Sequence, residues 1–323
     1  MITMKKDKDR KGIHNAAKAS IPTVLCRHVV QFPHPGTEYS LRGEEGDMDW
    51  NYRDHHRKFM QATGHYVEDE HLVRSQELMF WGEWEPQSRY KKINDNSSPR
   101  YLHLPYLDLD APKEVGGRVR QNTDPYVFAD AFYYRCCKQM HSSHPTQLAK
   151  LDRGSVILFG SHVDTGFAID TVFVVDESRQ YRDVLDPEEL KGFAPDGYAK
   201  IVSIGYGEYA NPSIPLACGA CAPRAIPSAP RVFRCYRGAT WDNPVSGMYS
   251  FVPCRLAKDN PNGFERPVLT HNELDFISDT LSQSYKLKQD VSLDEAHAIW
   301  KRVHDICHKD GFLDGVRFYY TKK

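Results

Sequence analysis

The chain has 323 residues, of which 40% are hydrophobic and 26% are charged, a balance typical of folded globular proteins. Its 42 Lys and Arg residues nearly match its 43 Asp and Glu residues, and the formal net charge is −1. This balance excludes a global electrostatic attraction to nucleic acid or to a membrane surface, so any anion must be bound by a local patch.

Composition also indicates the compartment. No apolar run approaches the roughly 20 residues that a membrane-spanning helix needs, and we expect no membrane partner. Residues 1–20 are rich in Lys and Arg but lack the apolar segment of a secretory signal, so we interpret them as a flexible basic tail. The 8 cysteines are scattered along the chain, which favours a reducing, cytoplasmic location over a disulfide scaffold.

In the first third of the chain, the sequence predicts a strand, a helix and a second strand. The apolar run 21–32 predicts the first strand, which ends at a turn containing proline and glycine. Residues 50–64 carry apolar side chains at a helical spacing, with Gly64 in the position of a C-terminal cap, and predict a helix. Residues 76–84 predict a strand that places alternate side chains on opposite faces.

Turns and buried strands are predicted for the middle of the chain. Residues 86–105 are turn-rich, with the clearest loop at 94–99. The segment 122–138 begins with a capping residue and a proline but is rich in aromatic residues, so helix and strand both stay open. Apolar runs at 156–160 and 169–175, joined by a short polar loop, predict two buried strands.

The last part of the chain combines strands with helices. Residues 196–226 are rich in Gly, Pro and Ala and predict an extended loop, while 231–254 predict further strands. The segments 270–273 and 292–295 have the residue types and spacing of capping boxes, and they predict two helices. The alternation at 316–320 predicts a closing strand.

Together these elements predict an α+β fold, with a mixed, largely antiparallel β core, flanking helices and a helical C-terminal section. We expect a core domain over 21–265 after the basic tail at 1–20. Residues 266–323 are expected to form a helical hairpin and the closing strand, packed on that core. The chain length fits either one large mixed domain or two smaller ones.

The clearest functional pattern is a concentration of tryptophan and arginine between residues 50 and 89. Tryptophan faces stack on bases and arginine binds phosphate, and each stacked base contributes roughly 1–3 kcal/mol. A nearby carboxylate would accept hydrogen bonds from a base edge. The candidate ligand-binding residues are therefore Trp50, Arg53, Arg57, Trp81, Glu83, Trp84 and Arg89. The alternative is that the rings fill the core and the cations lie on a solvated face.

Strand alternation refines this candidate site. It places Trp81 with Glu83 and Glu85 on one face of the strand and Trp84 on the other. We therefore expect one tryptophan in the core and one at the site, with Trp81 at the site.

Cysteines supply a second candidate. The pair Cys218 and Cys221 has the spacing of a zinc knuckle, and Cys235 with Cys254 would complete four thiolate ligands. The sequence leaves the cofactor open, with zinc as the candidate. Because Cys235 and Cys254 do not form a second tight pair, a redox pair or free buried cysteines remain alternatives.

Carboxylates near histidine supply a third candidate, a metal centre for hydrolysis. Asp47 and Asp49 precede His55, and Asp108 and Asp110 form another pair. Divalent ions used in phosphoryl chemistry need such groups to converge in space. The sequence has neither a Gly-rich phosphate loop of the P-loop or dinucleotide type nor a nucleophile-elbow serine, which weighs against nucleotide hydrolases and hydride-transfer enzymes of those classes.

The hairpin Gly154-Ser155-Val156-Ile157-Leu158-Phe159 with Thr171-Val172-Phe173-Val174-Val175 resembles small β-barrel proteins of the PUA, ASCH and EVE type. That resemblance implies a PUA-like barrel and binding of RNA or modified bases in an aromatic cleft. Four blocks are similar to uncharacterised bacterial proteins encoded near DNA-modification and phage-defence genes: His34-Pro35-Gly36, Phe80-Trp81-Gly82-Glu83-Trp84-Glu85, Asn122-Thr123-Asp124-Pro125 and Gly247-Met248-Tyr249-Ser250-Phe251-Val252-Pro253. Neither resemblance assigns catalytic residues.

These observations support three hypotheses about function. The first is a non-catalytic reader or sensor that binds a nucleotide, a modified base or single-stranded nucleic acid, in the setting of bacterial defence or nucleic-acid modification. The second is a metal-dependent nuclease or hydrolase acting on nucleic acid. The third is a non-catalytic subunit of a larger complex, with another protein as its partner.

Overall fold

The computed structural model describes residues 24–51, 54–108, 121–141, 144–182, 187–195, 198, 232–282 and 284–322. Its α-helix near the C-terminus is α1 (Leu293–Lys309). Its strands are β1 (Val29–Pro33), β2 (Glu45–Met48), β3 (Lys58–Glu68), β4 (His71–Gly82), β5 (Ser88–Lys92), β6 (Tyr101–Leu107), β7 (Tyr133–Tyr134), β8 (Met140–His141), β9 (His144–Pro145), β10 (Val156–Val163), β11 (Gly166–Arg182), β12 (Val232–Gly238), β13 (Val252–Leu256), β14 (Val268–Leu269), β15 (Lys286–Lys288), β16 (Leu313–Tyr319) and β17 (Thr321–Lys322).

The fold is α+β, as predicted, and most of its regular structure lies in largely antiparallel sheets. The first sheet has the order β15-β1-β10-β11-β12-β7, with β14 paired to β11. The second has the order β16-β13-β4-β3-β6-β5-β2, with β17 paired to β6. Because β16 also pairs with β3, the strands β3, β4, β13 and β16 close into a ring. The hairpin β10–β11 lies in the other sheet, and the PUA-like barrel stays a prediction.

The helix predicted over 50–64 is wrong for the residues that the structure describes, since β3 begins at Lys58. Its spacing looks helical because both faces of β3 are covered: Phe59 packs with Trp81 on one face, while Met60 belongs to the main core on the other. Gly64 is therefore not a helix cap. A Cβ atom there would lie 2.4 Å from the backbone oxygen of Arg317, so glycine allows β16 to approach β3 closely.

Several other predictions are confirmed. Strand β4 covers 76–82, and the apolar runs at 156–160 and 169–175 form the antiparallel pair β10–β11. The predicted closing strand corresponds to β16. Helix α1 begins after the predicted capping box, in which Ser292 and Glu295 satisfy each other's backbone donors.

The predicted loop at 94–99 is confirmed, and the turn-rich segment 86–105 around it also contains β5 and the start of β6, which pair with each other. Among the described residues, the expected C-terminal helical hairpin has α1 but no partner helix. The capping-box pattern at 270–273 closes a turn instead, in which the Glu273 carboxylate accepts from the Thr270 backbone N–H at 2.9 Å. The ambiguous segment 122–138 is mostly irregular apart from β7. The basic tail at 1–20 and nearly all of the 196–226 segment lie outside the described residues.

The largest apolar core lies between the two sheets. Phe32 and Phe159 of the first sheet and Phe80 and Phe318 of the second belong to the same cluster of buried side chains. A second cluster lies beneath α1, where Trp300 packs against Phe251. In the part of the chain that the structure describes, no helix is both long and apolar enough to cross a membrane.

The core between the sheets gives a stability prediction. Phe80 is fully buried and its ring centroid lies 4.1 Å from that of Phe318, so Phe80→Ala should lower the free energy of unfolding by about 3–5 kcal/mol. Leu104→Ala, at a position 38% exposed, is the control and should change it by less than about 0.5 kcal/mol. Urea unfolding measures both. Equal effects would contradict this account of the core.

Candidate functional site

The three tryptophans expected to stack on a ligand are buried. Trp50, Trp81 and Trp84 are 2%, 4% and 0% exposed, and each indole N–H donates to a backbone carbonyl. The predicted alternation is confirmed, because Trp81 packs with Phe59 while Trp84 packs with Phe128 in a different core cluster. The expectation that Trp81 lies at an open site is corrected: both faces of this strand are covered, so both rings are core residues.

Two of the other predicted residues meet. Arg57 is buried, and its guanidinium lies 3.2 Å from a carboxylate oxygen of Glu83. Arg89 does not join them, since its side chain is 68% exposed on β5 and lies 3.5 Å from Asp47. Arg53 lies outside the described residues. Arg57 and Glu83 therefore bind each other, whereas the sequence predicted that they would bind a phosphate and a base edge.

Glu83 is the centre of a buried polar network. It follows the end of β4, and its side chain is fully buried. One carboxylate oxygen accepts from the Asp124 backbone at 3.1 Å and lies 3.3 Å from Nδ1 of His55. The other lies 2.9 Å from Nδ1 of His34 and 3.2 Å from Arg57. Burial alone would raise the pKa of Glu83, but His55 and His34 outweigh it and hold that pKa well below its usual value.

Glu85 lies on the same side of the network and shares His55 with Glu83. Its Oε1 lies 2.9 Å from Nδ1 of His55, and its Oε2 accepts from the Asn51 amide at 2.5 Å. Burial disfavours the charged imidazole, yet the two carboxylates raise the pKa of His55 well above its usual value. We call His55, Glu83 and Glu85 the carboxylate–histidine cluster. Each offers one ligand atom, all within 4.8 Å of one another.

The network continues into the first sheet through Arg57. Its Nε lies 2.9 Å from Oδ2 of Asp170, on β11, and Oδ1 of Asp170 lies 3.0 Å from Arg266. Arg266 also donates to the Ser161 hydroxyl. Alternating charges therefore run from one sheet to the other, with each buried charge next to an opposite one.

Two lysines lie beside this network. Lys58 is buried, donates to the Trp84 carbonyl, and has a pKa lowered by burial. Lys138 donates to the carbonyls of Pro33 and Ser284, at 2.5 and 2.6 Å, and burial lowers its pKa to about 8. Both ammonium groups are held by backbone carbonyls near Glu83 and add positive charge there.

A turn held by Asp124 borders the network. Its carboxylate accepts from the backbone N–H groups of Arg135, Cys136 and Cys137, each at 2.9 Å. A hydrogen bond that the Cys137 thiol donates to Cys136, together with burial, raises the pKa of Cys137 well above its usual value. Cys137 is therefore held as a thiol, whereas a thiolate is the form that attacks as a nucleophile.

The predicted zinc site falls partly outside the described residues. Cys218 and Cys221 lie outside them; Cys235 on β12 and Cys254 on β13 are fully buried. Cys235 lies in the first sheet and Cys254 in the second, and the zinc site stays a prediction.

The expected carboxylate partners of His55 are also corrected. Its partners are Glu83 and Glu85 instead of Asp47 and Asp49, and Asp110 lies outside the described residues. Sequence alternation places Glu83 and Glu85 on one face, but His34, Asp124 and Asp170 come from distant segments and leave no signal linking them to this site. Comparison with protein-family models, with curated proteins and with solved structures finds no match to this chain.

The buried position of Arg57 predicts a large loss of stability when it is replaced. Arg57→Met leaves the Glu83 and Asp170 carboxylates without a main partner, and should lower the free energy of unfolding by about 3–5 kcal/mol. Arg89→Met removes an arginine of the same predicted set from an exposed position and should cost less than about 0.5 kcal/mol. Denaturant unfolding at neutral pH would test this, and equal midpoints would contradict it.

His34 predicts how stability depends on pH. Burial, together with the positive charges of Arg57 and Lys138, lowers the pKa of His34 to about 4. Glu83 favours the charged imidazole but does not outweigh burial. As pH falls, His34 takes up a proton near pH 6.5 in the unfolded chain but only near pH 4 in the folded chain. The folded state should therefore lose stability as pH falls between these values, by up to about 1.4 kcal/mol per pH unit.

Urea midpoints from pH 8 to 4 would measure this dependence. His34→Gln should flatten the curve between pH 6.5 and 4, whereas His144→Gln, at an exposed position, should leave it unchanged. Glu83 adds a loss of its own only below about pH 4.5, where the unfolded chain binds a proton that the folded carboxylate, with its lowered pKa, does not bind. An unchanged slope in His34→Gln would contradict the prediction.

Proposed function

We propose that the carboxylate–histidine cluster binds a divalent metal ion and that the protein is a metal-dependent hydrolase acting on a phosphoester of a nucleotide or nucleic acid. One observation carries this proposal: His55, Glu83 and Glu85 place three ligand atoms within 4.8 Å of one another. The His55 side chain is 22% exposed, so this otherwise buried group is accessible from solvent.

The donor set fits such an ion. Nδ1 of His55 faces both Glu85, at 2.9 Å, and Glu83, at 3.3 Å, which are separations that ligands of a shared ion also have. One imidazole with two carboxylates suits Mn²⁺ or Zn²⁺, and Mg²⁺ with added waters. Two carboxylate charges balance a divalent cation, which would replace the proton that they share with His55.

The surrounding residues suit a phosphoester. A bound ion supplies a water of lowered pKa and polarises a phosphoryl oxygen. Asn51 orients Glu85, and His34 with Arg57 orients Glu83, so the two carboxylates are fixed from behind. The nearby ammonium groups of Lys58 and Lys138 offset the negative charge of a phosphate group.

The alternatives have less support. The reader hypothesis depended on tryptophan stacking, and the three rings are buried. A subunit role would favour an apolar surface, but the large hydrophobic side chains exposed among the described residues are Val24, Leu104 and Tyr319. Nucleic acid as the substrate, and a role in bacterial defence, remain predictions from sequence.

The test combines metal binding with hydrolysis. Glu85→Gln and His55→Gln should each weaken Mn²⁺ binding by at least tenfold and abolish Mn²⁺-dependent cleavage of nucleotides and short oligonucleotides. Glu77→Gln is the matched control, because Glu77 lies exposed on β4, the strand that leads into the site, and should leave both unchanged. Urea midpoints of all three variants show whether each is folded.

The outcomes separate the hypotheses. Nucleotide binding without turnover at any divalent ion would overturn hydrolysis in favour of a reader. Cleavage that survives EDTA, or Mn²⁺ binding that survives both Glu85→Gln and His55→Gln, would overturn the metal centre.

A further inference from the structure

A second group of metal-ligating side chains lies where α1 ends and β16 begins. His304 and His308 are four residues apart and therefore project from the same face of α1. Asp314 is the second residue of β16, which follows the helix after a tight turn at Gly311, where φ is +78°. One ligand atom from each side chain lies within 4.8 Å of the others.

Both imidazoles point at the same carboxylate. Nε2 of His304 lies 3.0 Å from Oδ2 of Asp314, and Nε2 of His308 lies 3.1 Å from Oδ1. The two imidazole rings are stacked, with centroids 4.0 Å apart. Two ligands that share a tetrahedral zinc ion at about 2.1 Å are about 3.4 Å apart, so each imidazole–carboxylate separation lies within a few tenths of an ångström of that spacing.

The carboxylate is held from behind. The Asp314 side chain is fully buried, and its Oδ2 accepts from the Tyr249 hydroxyl at 2.6 Å. Tyr249 itself packs against Trp300, whose indole N–H donates to the Tyr249 backbone at 2.9 Å. Metal-binding carboxylates usually have such a donor behind them, because it fixes their orientation.

The His304 ring is also fixed in place. It stacks on Trp300 with centroids 5.1 Å apart and meets Phe251 edge-on at 5.9 Å. Its Nδ1 is buried without a hydrogen bond, and lies 3.6 Å from a carboxylate oxygen of Asp305. When Nε2 of a histidine binds a metal, Nδ1 carries the proton and donates to a carboxylate, and Asp305 would accept it after a small shift of either side chain.

We infer that His304, His308 and Asp314 form a site for a divalent transition-metal ion, with Zn²⁺ the ion that two imidazoles and one carboxylate fit well. The His304 and His308 side chains are 22% and 39% exposed, so an ion reaches Nε2 from solvent. Three protein ligands leave a fourth position for water or for an external ligand. The inference rests on residues separate from the carboxylate–histidine cluster and does not depend on the proposed function.

Zinc titration of the purified full chain against a competing chromogenic chelator tests this site. His308→Gln and His304→Gln should each weaken binding of one equivalent of Zn²⁺ by at least tenfold at pH 7.5. His297→Gln is the matched control, because His297 lies on the same helix and stacks on Trp300 but is not part of the trio. It should bind Zn²⁺ like the wild type.

Further readouts keep the result interpretable. His308 is partly exposed and glutamine can still donate to Asp314, so the replacement should leave the circular dichroism spectrum unchanged and lower the metal-free urea midpoint only slightly. Zn²⁺ should raise the thermal midpoint of His55→Gln, but not that of the double variant His55→Gln/His308→Gln, in which neither metal centre is complete. Equal zinc stoichiometry and affinity in the wild type, His304→Gln and His308→Gln would overturn the site. If the carboxylate–histidine cluster binds no metal, His55→Gln and Glu85→Gln will bind metal like the wild type, while the effects of His304→Gln and His308→Gln will remain.

Discussion

The two ion pairs of Arg57 connect the two sheets at the place where the candidate site forms. Glu83 follows β4 of the second sheet and Asp170 lies on β11 of the first, and Arg57 contacts both from a fully enclosed position. A charge in such surroundings is tolerated only if opposite charges or hydrogen bonds replace the water that it has lost. The sheets must therefore meet in one arrangement, because any displacement would leave a carboxylate or the guanidinium without its partner.

Three buried carboxylates organise the described chain in the same way. Glu83 gathers His34 and His55, Asp124 holds the turn at 135–137, and Asp314 gathers Tyr249 with two histidines of α1. An ionised carboxylate in the interior needs several donors, and those of Glu83 come from segments far away in sequence. Histidine is a donor that also binds metals. Glu83 and Asp314 therefore lie next to histidines that balance their charge, and carboxylates and histidines are also the groups that bind a metal ion.

The sequence predicted an element correctly where interactions between neighbouring residues determine its secondary structure. The capping box at 292–295 and the apolar runs of β10 and β11 predicted their elements, because capping and continuous burial are properties of neighbouring residues. Alternation also placed Trp81 and Trp84 on opposite faces. The helix predicted over 50–64 failed because β3 is covered on both faces, and two-sided burial removes the period of two that identifies a strand.

The sequence by itself determined the α+β class, the strands of the central hairpin, the capped terminal helix and the shared face of Glu83 and Glu85. Only the tertiary structure decided that the tryptophans are core residues, since exposure depends on what packs against a strand and not on the strand's own pattern. It also decided which histidines meet which carboxylates. Those contacts join neighbouring strands, opposite sheets, or helix and strand, and no spacing along the chain encodes a distance through the core.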